Sequence, residues 1–266
     1  MEEYSYQIFI PGGNTTALVF DLESDFQTRK IINNNIMKKF PDVEQVGFLS
    51  ADIKAPQLMM AGGEFCGNAT RCAAWHYLKG MPGELNLKVS GVSKALKAGI
   101  TEKYEAWAEM PVINELSSIK EIQNGFYLVN MEGIVHIIVM PEQSKFYLKK
   151  SDLKTSAKDI LFQNNLLNAP AAGVIFIENE VDEFKIHPCV YVSGINTLFY
   201  ETACGSGTIA AGLVIALLKG KNVEIPVIQP SLKIIKAIVC CDGTMVTKAI
   251  ISGKIETDGI VYEGMK

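Results

Sequence analysis

A short sequence pattern occurs twice in this chain, about half the sequence apart, and each copy contains one cysteine. Cys66 begins Cys-Gly-Asn-Ala-Thr and Cys204 begins Cys-Gly-Ser-Gly-Thr, so both copies read Cys-Gly-x-x-Thr. An apolar, alanine-containing segment follows each copy and ends near Lys79-Gly80 or Lys219-Gly220. The repeat predicts two homologous halves with one thiol each. Two such thiols suit a reaction in which a proton leaves one face of a carbon and returns on the other.

The composition limits the class of protein. The chain has 266 residues, 48% of them hydrophobic, which is enough for one long domain or two ordinary ones. The net charge of −4 has no block of like charge, so nucleic acid is not an expected partner. The apolar runs are shorter than the ~20 residues of a membrane span, and the acidic start Met1-Glu2-Glu3 precedes no apolar signal region. We therefore expect a cytoplasmic enzyme or binding protein without a membrane partner.

Six cysteines in a reducing cytosol are free thiols, metal ligands or catalytic groups. No Cys-x-x-Cys spacing occurs, and the adjacent Cys240 and Cys241 lie in an apolar run that is typical of a buried strand. Their side chains would point to opposite faces, so we predict core thiols there and no metal site. Cys72 and Cys189 are also predicted to be packed. For the two cysteines of the repeat, burial in the core is the weaker alternative because glycine-containing turns follow them.

Helical and strand patterns alternate along the chain, and the second half repeats the first. This predicts an α/β fold with two domains, residues 1–112 and 113–257, and a C-terminal strand at about 258–266 that could return to the first domain. The segment Gly212 to Leu218 carries no charge, so we expect a buried helix wrapped by its sheet. The predicted helices are 25–39, 67–79, 156–167 and 207–218. The predicted strands include 6–10, 16–20, 45–50, 85–89, 95–100, 104–109, 125–131, 136–139, 173–177 and 190–192.

Each cysteine of the repeat is placed at the N-terminal end of a helix, where free N–H groups and the helix dipole favour negative charge. That position is expected to lower the pKa of a thiol. The N–H groups of Gly67-Asn68 and Gly205-Ser206 could also hold a substrate carboxylate. Glu201, three residues before the second thiol, could orient that thiol or take its proton, or it could be a surface charge or a cap. Glu64 is a weaker candidate for the same role.

Five segments carry a resemblance to a known family. Residues 63–72 resemble the first cysteine motif of the diaminopimelate epimerase family, and residues 203–208 resemble its second. Gly13-Asn14 is similar to the early substrate-binding turn of the family and Gly47-Phe48 to its Gly-Phe strand. His136 falls where the family has an active-site histidine. The order and spacing of these segments fit over nearly the whole chain.

The resemblance implies two pseudo-symmetric α/β domains, each a sheet wrapped round a central helix, with the active site in the cleft between them. It implies 1,1-proton transfer at the α-carbon of an amino acid, with no cofactor and no metal. The expected partner is a small amino-acid substrate, and a homodimer is one possible assembly. The residues that the resemblance implies for catalysis are Cys66 and Cys204; for support, Glu201, His136 and Glu44; and for binding, Asn14, Gly67, Asn68, Gly205, Ser206 and Tyr200.

The chain departs from diaminopimelate epimerases where substrate identity is set. Those enzymes carry a Glu-Arg pair before the second cysteine, whereas residues 196–204 of this chain contain no arginine. The chain has only Arg29 and Arg71, and Val135 stands where the family has an asparagine before its histidine. Aromatic residues do not replace a bidentate Arg–carboxylate contact, so the second carboxylate of diaminopimelate would be poorly received.

The substitutions resemble the histidine racemase branch of the family, which supplies D-histidine to opine-type metallophore biosynthesis. The similar stretches are 44–48, 63–70 and 204–208, together with the aromatic-Glu step Tyr200-Glu201. Glu44 would then accept an N–H from a substrate imidazole, or it could be an exposed charge at a strand end. The resemblance thus implies histidine as the first substrate candidate.

Several alternatives remain open at the level of sequence. The chain could be a diaminopimelate epimerase or a racemase of another amino acid. Two thiols could instead serve a redox switch, since thiols that meet can form a disulfide. A small-molecule binding protein of the same fold would need neither thiol. A pyridoxal phosphate racemase is disfavoured because no lysine occurs in an equivalent motif.

Overall fold

The computed structural model describes residues 3–20, 25–150, 152–180, 183–193 and 196–265. They form a mixed α/β fold. The helices are α1 Phe26–Lys39, α2 Gly67–Tyr77, α3 Pro141–Leu148, α4 Leu153–Gln163 and α5 Gly205–Lys219, with a 3₁₀ turn at Leu116–Ser118. The strands are β1 Glu3–Ile10, β2 Thr16–Val19, β3 Gln45–Leu49, β4 Gln57–Met60, β5 Gly83–Val89, β6 Leu96–Ile100, β7 Ala106–Glu109, β8 Lys120–Gln123, β9 Phe126–Met131, β10 Ile134–Val139, β11 Ala171–Glu180, β12 Glu183–Val192, β13 Thr197–Tyr200, β14 Val223–Ile228, β15 Ile234–Asp242, β16 Met245–Gly253 and β17 Glu256–Met265.

The chain divides into two compact units. The first contains the described residues up to Glu109 and those from Ser252 onwards, and the second contains Met110–Ile251. The bounds of the predicted domains, 1–112 and 113–257, differ from the bounds of these units by a few residues. The division into domains stays a prediction. Among the helices of the described ranges, none has both the length and the apolar character to cross a membrane.

The first unit is built on a mixed sheet. Strand β1 pairs antiparallel with β2 and with β17, so the last strand of the chain lies in this unit. Strand β2 runs parallel to β3, β3 antiparallel to β4, and β4 parallel to β5, which continues antiparallel through β6 and β7. Because side chains alternate along a strand, Leu18 and Leu58 pack with α2, whereas Val46 and Phe48 pack with α1. Helix α2, which follows Cys66, is therefore one wall of the first core.

The second unit encloses α5. Strand β9 pairs with β10 and β10 runs parallel to β11, which pairs antiparallel with β12; β12 contacts both β13 and β14, and β14 pairs with β15. Residues 207–216 of α5 are all buried, whereas Leu218 is 53% exposed, so the burial predicted for the uncharged segment 212–218 is confirmed only up to residue 216. A Cβ atom on Gly212 would lie 2.8 Å from the Cβ atom of Ala237 on β15, so this glycine lets the helix and strand approach. Helix α5 ends at Gly220, whose φ of 60° is typical of a glycine cap.

Some local predictions were wrong. Cys240 and Cys241 are only half-buried, because burial alternates along β15 through Ile235, Ala237 and Val239 and falls at the strand end. They are therefore not core thiols, whereas Cys72 and Cys189 are buried as predicted. Helix α3 and strand β4 were missed. A proline at the first position of α3 was the available signal.

Candidate active site

Both cysteines of the repeat are N-cap residues with nearly the same backbone. Cys66 has φ −136° and ψ 113° before α2, and Cys204 has φ −129° and ψ 107° before α5. Each Sγ atom accepts a hydrogen bond from the backbone N–H three residues later, from Ala69 at 3.4 Å and from Gly207 at 3.3 Å. The sulfur atoms thus take the place that a serine or aspartate oxygen usually has at an N-cap.

The threonine of each copy closes the cap. The Thr70 hydroxyl donates to the Cys66 carbonyl at 2.7 Å, and the Thr208 hydroxyl donates to the Cys204 carbonyl at 2.6 Å. These bonds explain the spacing Cys-x-x-x-Thr, because residues four apart lie one helical turn from each other. The predicted binding residues Gly67 and Gly205 are the first residues of the two helices. Their turns carry the N–H groups that helix geometry leaves without an intrahelical acceptor.

In the first unit, the Asn14 side chain gathers the polar groups around Cys66. Asn14 has a φ of 51°, which asparagine tolerates better than most residues. Its Oδ1 atom accepts from Gln45 Nε2 at 2.7 Å, from Asn68 Nδ2 at 3.4 Å and from the Cys66 thiol at 3.9 Å. Its Nδ2 atom donates to Glu44 Oε2 at 3.3 Å. The structure therefore brings the predicted residues of this unit together and adds Gln45, which sequence reasoning missed.

Arg71 is hydrogen-bonded to this group through the Asn68 side chain. Its side chain is fully buried and donates to the Asn68 side chain at 3.2 Å and to the carbonyls of Pro11 at 3.2 Å, Ala106 at 3.1 Å and Lys254 at 3.2 Å. Burial lowers the pKa of Arg71 to about 10, so the guanidinium remains charged near neutral pH. The available signal of this role was a single arginine inside a helix segment that contains no other Arg, Lys, Asp or Glu.

In the second unit, a chain of side chains leads away from Cys204. Ser206 Oγ lies 3.5 Å from Cys204 Sγ and 2.9 Å from His136 Nε2. His136 is on β10 and is fully buried, and burial lowers its pKa to about 3. The imidazole is therefore neutral at ordinary pH. The structure brings together three of the predicted site residues in this unit.

Glu201 completes the group around Cys204. Its side chain is hydrogen-bonded to the Cys204 thiol. Burial, followed by the charge and the hydrogen bond of Glu201, raises the pKa of Cys204 well above its usual value, and the donors on Ser206 and Gly207 lower it by less. The prediction of a lowered thiol pKa is therefore wrong at Cys204. Removal from water and a neighbouring carboxylate outweigh the helix N-terminus there.

Gln229 fixes the backbone of the second cap. Its Oε1 atom accepts from the Cys204 N–H at 3.0 Å, and its Nε2 atom donates to the Thr208 hydroxyl at 3.0 Å and to the Val227 carbonyl at 3.1 Å. The side chain is completely buried. Sequence reasoning missed Gln229, because a glutamine outside any motif gives no signal of a contact 25 residues earlier in the chain.

Tyr200 is not brought to the Cys204 group. It lies directly opposite Cys189 in the sheet register, and such pairs share a face. Cys189 packs in the core cluster on the side of the sheet that α4 covers. The His136 side chain lies on the side that α5 covers, where it contacts Ser206. The Tyr200 hydroxyl is bonded to His187 Nδ1 at 2.8 Å. A substrate-binding role of Tyr200 stays a prediction without a supporting contact.

Across the described ranges, no three His, Cys, Asp or Glu side chains lie close enough to hold one metal ion together.

The fold is shared with known isomerases. A protein of the phenazine biosynthesis PhzF family from Bacillus anthracis superposes over the full length of both chains, with a TM-score of 0.69 and 12% identity. A hydroxyproline epimerase from Agrobacterium vitis gives a TM-score of 0.65 and 12% identity, covering 99% of this chain and 91% of the other. The mixed α/β architecture is thus that of the PhzF and proline racemase-like isomerases.

The family follows from sequence comparison. Residues 3–265 match the family model of the histidine racemase CntK N-terminal domain. The histidine racemase of Fusobacterium nucleatum subsp. nucleatum is 32% identical over 237 residues, which are 83% of each chain. The chain belongs to this histidine racemase family, and it is an isomerase of the amino-acid racemase class.

Proposed function

We propose that this racemase inverts the α-carbon of histidine without a cofactor, by proton transfer through the thiols of Cys66 and Cys204. The observation that carries the proposal is the cysteine cap built twice, once in each unit, with a backbone N–H on each sulfur at 3.3–3.4 Å. Such donors stabilise a thiolate, the form of cysteine that accepts a proton. The family relatives from Fusobacterium nucleatum and Staphylococcus aureus that are named histidine racemases support the substrate.

The proposed reaction needs one thiolate and one protonated thiol. The raised pKa of Cys204 keeps its proton on the sulfur, so Cys204 is the acid in one direction of the reaction. Cys66, as the thiolate, removes the α-proton, and the Cys204 thiol delivers its proton to the opposite face of the carbanion. After this step Cys66 carries a proton and Cys204 is the thiolate. Before the next turnover in the same direction, Cys66 must lose a proton and Cys204 must gain one.

The groups around each sulfur supply the electrostatic stabilisation that a weakly acidic α-proton requires. The first-turn N–H groups of the two helices would receive the substrate carboxylate. Asn14 and Asn68 would position the substrate beside Cys66, since both already meet at Asn14 Oδ1. Glu44 would accept a hydrogen bond from the imidazole of the substrate, and its contact with Asn14 supports a place near the first thiol.

The positions of Arg71 and Arg29 make diaminopimelate an unfavourable substrate. Arg71 donates its N–H groups to protein carbonyls and to Asn68 in a fully buried position. Arg29 belongs to α1, which packs on the face of the first sheet that is opposite to α2. A second substrate carboxylate would therefore lose its water without gaining a guanidinium partner, which costs several kcal/mol.

The test is α-deuteration of L-histidine in D₂O, followed by mass spectrometry or NMR. A single thiol can still exchange the α-proton on its own face, so formation of D-histidine is measured as well. We expect Cys66→Ser and Cys204→Ser each to convert L-histidine to D-histidine at less than about a tenth of the wild-type rate, because a hydroxyl is a far weaker base than a thiolate. Cys240→Ser is the matched control, since this half-buried thiol lies at the end of β15. A cysteine variant that keeps more than that rate would refute the two-thiol mechanism. Exchange of diaminopimelate equal to that of histidine would refute the substrate alone.

A further inference from the structure

The imidazole of His136 has one hydrogen-bonded nitrogen and one without a partner. Nε2 lies 2.9 Å from Ser206 Oγ, whereas Nδ1 is buried and has no hydrogen-bond partner among the side chains and backbone that the structure describes. The ring packs against the backbone of β11, where a Cβ atom on Gly173 would lie 2.4 Å from Nδ1. Gly173 therefore provides the space for the ring and offers no polar side chain to it.

The direction of the hydrogen bonds follows from counting hydrogen atoms. A hydrogen on His136 Nδ1 would be a buried N–H without a partner, which costs more than a buried acceptor without one, so the hydrogen of the neutral ring is on Nε2. Nε2 then donates to Ser206 Oγ at 2.9 Å, and the single hydrogen of the Ser206 hydroxyl is left for Cys204 Sγ, which lies 3.5 Å away. The Ser206 hydroxyl therefore donates to the sulfur, and its own oxygen remains as the acceptor for His136.

This tautomer satisfies both hydrogen bonds of Ser206. Nε2 supplies the hydrogen of the bond at 2.9 Å, and the Ser206 hydroxyl supplies the hydrogen of the contact with the sulfur. A neutral imidazole with that hydrogen has a bare Nδ1 atom. This agrees with the missing partner, since a buried acceptor without a partner is tolerated better than a buried N–H without one.

We propose that His136 is a positioning residue, neutral and protonated at Nε2, that holds the Ser206 hydroxyl as a fixed donor to the sulfur of Cys204. Its role in turnover rests on the proposed function of Cys204 as a proton donor. When Cys204 gives its proton to the substrate carbanion, the Ser206 hydroxyl and the Gly207 N–H remain aimed at the new thiolate. His136 exchanges no proton in this step, and its effect reaches the sulfur through Ser206.

The direct test is ¹⁵N NMR of the protein labelled in its three histidines. The His136 resonances are assigned by their loss in His136→Gln. We expect a protonated Nε2 and a bare Nδ1 at neutral pH. A proton on Nδ1 alone, or on both nitrogens, would overturn the proposal. This measurement needs no substrate, so it stands even if Cys204→Ser proves active and the proposed function fails.

A double-mutant cycle tests the link to turnover. Ser206→Ala and His136→Leu should each lower kcat about 10- to 100-fold, with KM for histidine nearly unchanged, since the first removes the donor to a charged sulfur and the second no longer holds that donor in place. The double variant should be no slower than either single variant, because the two residues act in series. His136→Gln retains an N–H donor and should recover most of the activity.

Circular dichroism and thermal unfolding of each variant separate loss of folding from loss of the donor. Multiplicative losses in a folded double variant would overturn the proposal, and so would full activity of Ser206→Ala. Equal activities of His136→Gln and His136→Leu, with both proteins folded, would count against it as well.

Discussion

Cys66 and Cys204 begin their helices with nearly the same backbone, but the side chains around the two sulfurs differ in charge. The amides of Asn14, Asn68 and Gln45 lie around Cys66, and the buried guanidinium of Arg71 donates to Asn68. Around Cys204 lie a carboxylate, a hydroxyl and a neutral imidazole. The first cap thus contains the buried charge of Arg71, with the Glu44 carboxylate hydrogen-bonded to the far side of the Asn14 amide, whereas the second contains the Glu201 carboxylate and no cation among the described groups that act on the Cys204 thiol. The comparison teaches that a short local pattern builds the cap, whereas distant segments decide its electrostatics.

The difference suits the proposed mechanism, in which one thiol begins a turnover as the thiolate and the other as the protonated thiol. A carboxylate beside a buried sulfur opposes a second negative charge and keeps the proton on Cys204. At the first cap, Arg71 interacts electrostatically with Cys66, and a buried cation favours the charged form of a nearby group. The following predictions test this contrast, from the largest expected effect to the smallest.

Removal of the guanidinium donors from the first cap should have the largest effect. Arg71→Lys should lower the free energy of unfolding by about 3–5 kcal/mol, because a lysine cannot replace the fork of donors and leaves several buried acceptors unsatisfied. Urea unfolding measures the loss. The matched control is Arg29→Lys on α1, which should cost less than about 1 kcal/mol. Equal losses in the two variants would show that Arg71 does not anchor the first cap.

Acid should act on the second cap through His136. The folded state lowers the pKa of His136 to about 3, so the unfolded chain binds this proton more readily between pH 6.5 and 3. The free energy of unfolding should therefore fall as the pH falls through this range, by about 1.4 kcal/mol per pH unit from this group. His136→Gln should show a shallower pH dependence in urea unfolding from pH 6.5 to 4. Identical slopes would contradict a buried neutral imidazole.

Removal of the negative charge from the second cap should change the reactivity of one thiol. Glu201→Gln should lower the pKa of Cys204 and speed its alkylation by iodoacetamide about tenfold, the effect of about one pKa unit on the thiolate fraction. Mass spectrometry of digests follows each cysteine separately, and the rate at Cys240 serves as the internal reference. An unchanged rate at Cys204 would mean that the carboxylate does not control this thiol.

Local features of the sequence predicted the parts of the site that depend on neighbours within one helical turn. The N-cap places of Cys66 and Cys204 and the buried, uncharged α5 follow from spacing and composition, because a cap needs only a residue and the N–H three positions on. The resemblance of the motifs likewise gave the family and its mixed α/β fold.

Tertiary structure decided the contacts between segments that lie far apart in the chain. Gln229 reaches Cys204 and Gln45 reaches Asn14 because strand pairing brings their segments together, and no local pattern records that pairing. The face taken by Tyr200 depends on register, since a shift of one residue reverses every side chain of a strand. The raised pKa of Cys204 depends on burial and on Glu201, which exceed the local effect of the helix N-terminus. The sequence determined where the thiols stand, and folding determined their chemistry because charge and water access are set by all surrounding segments.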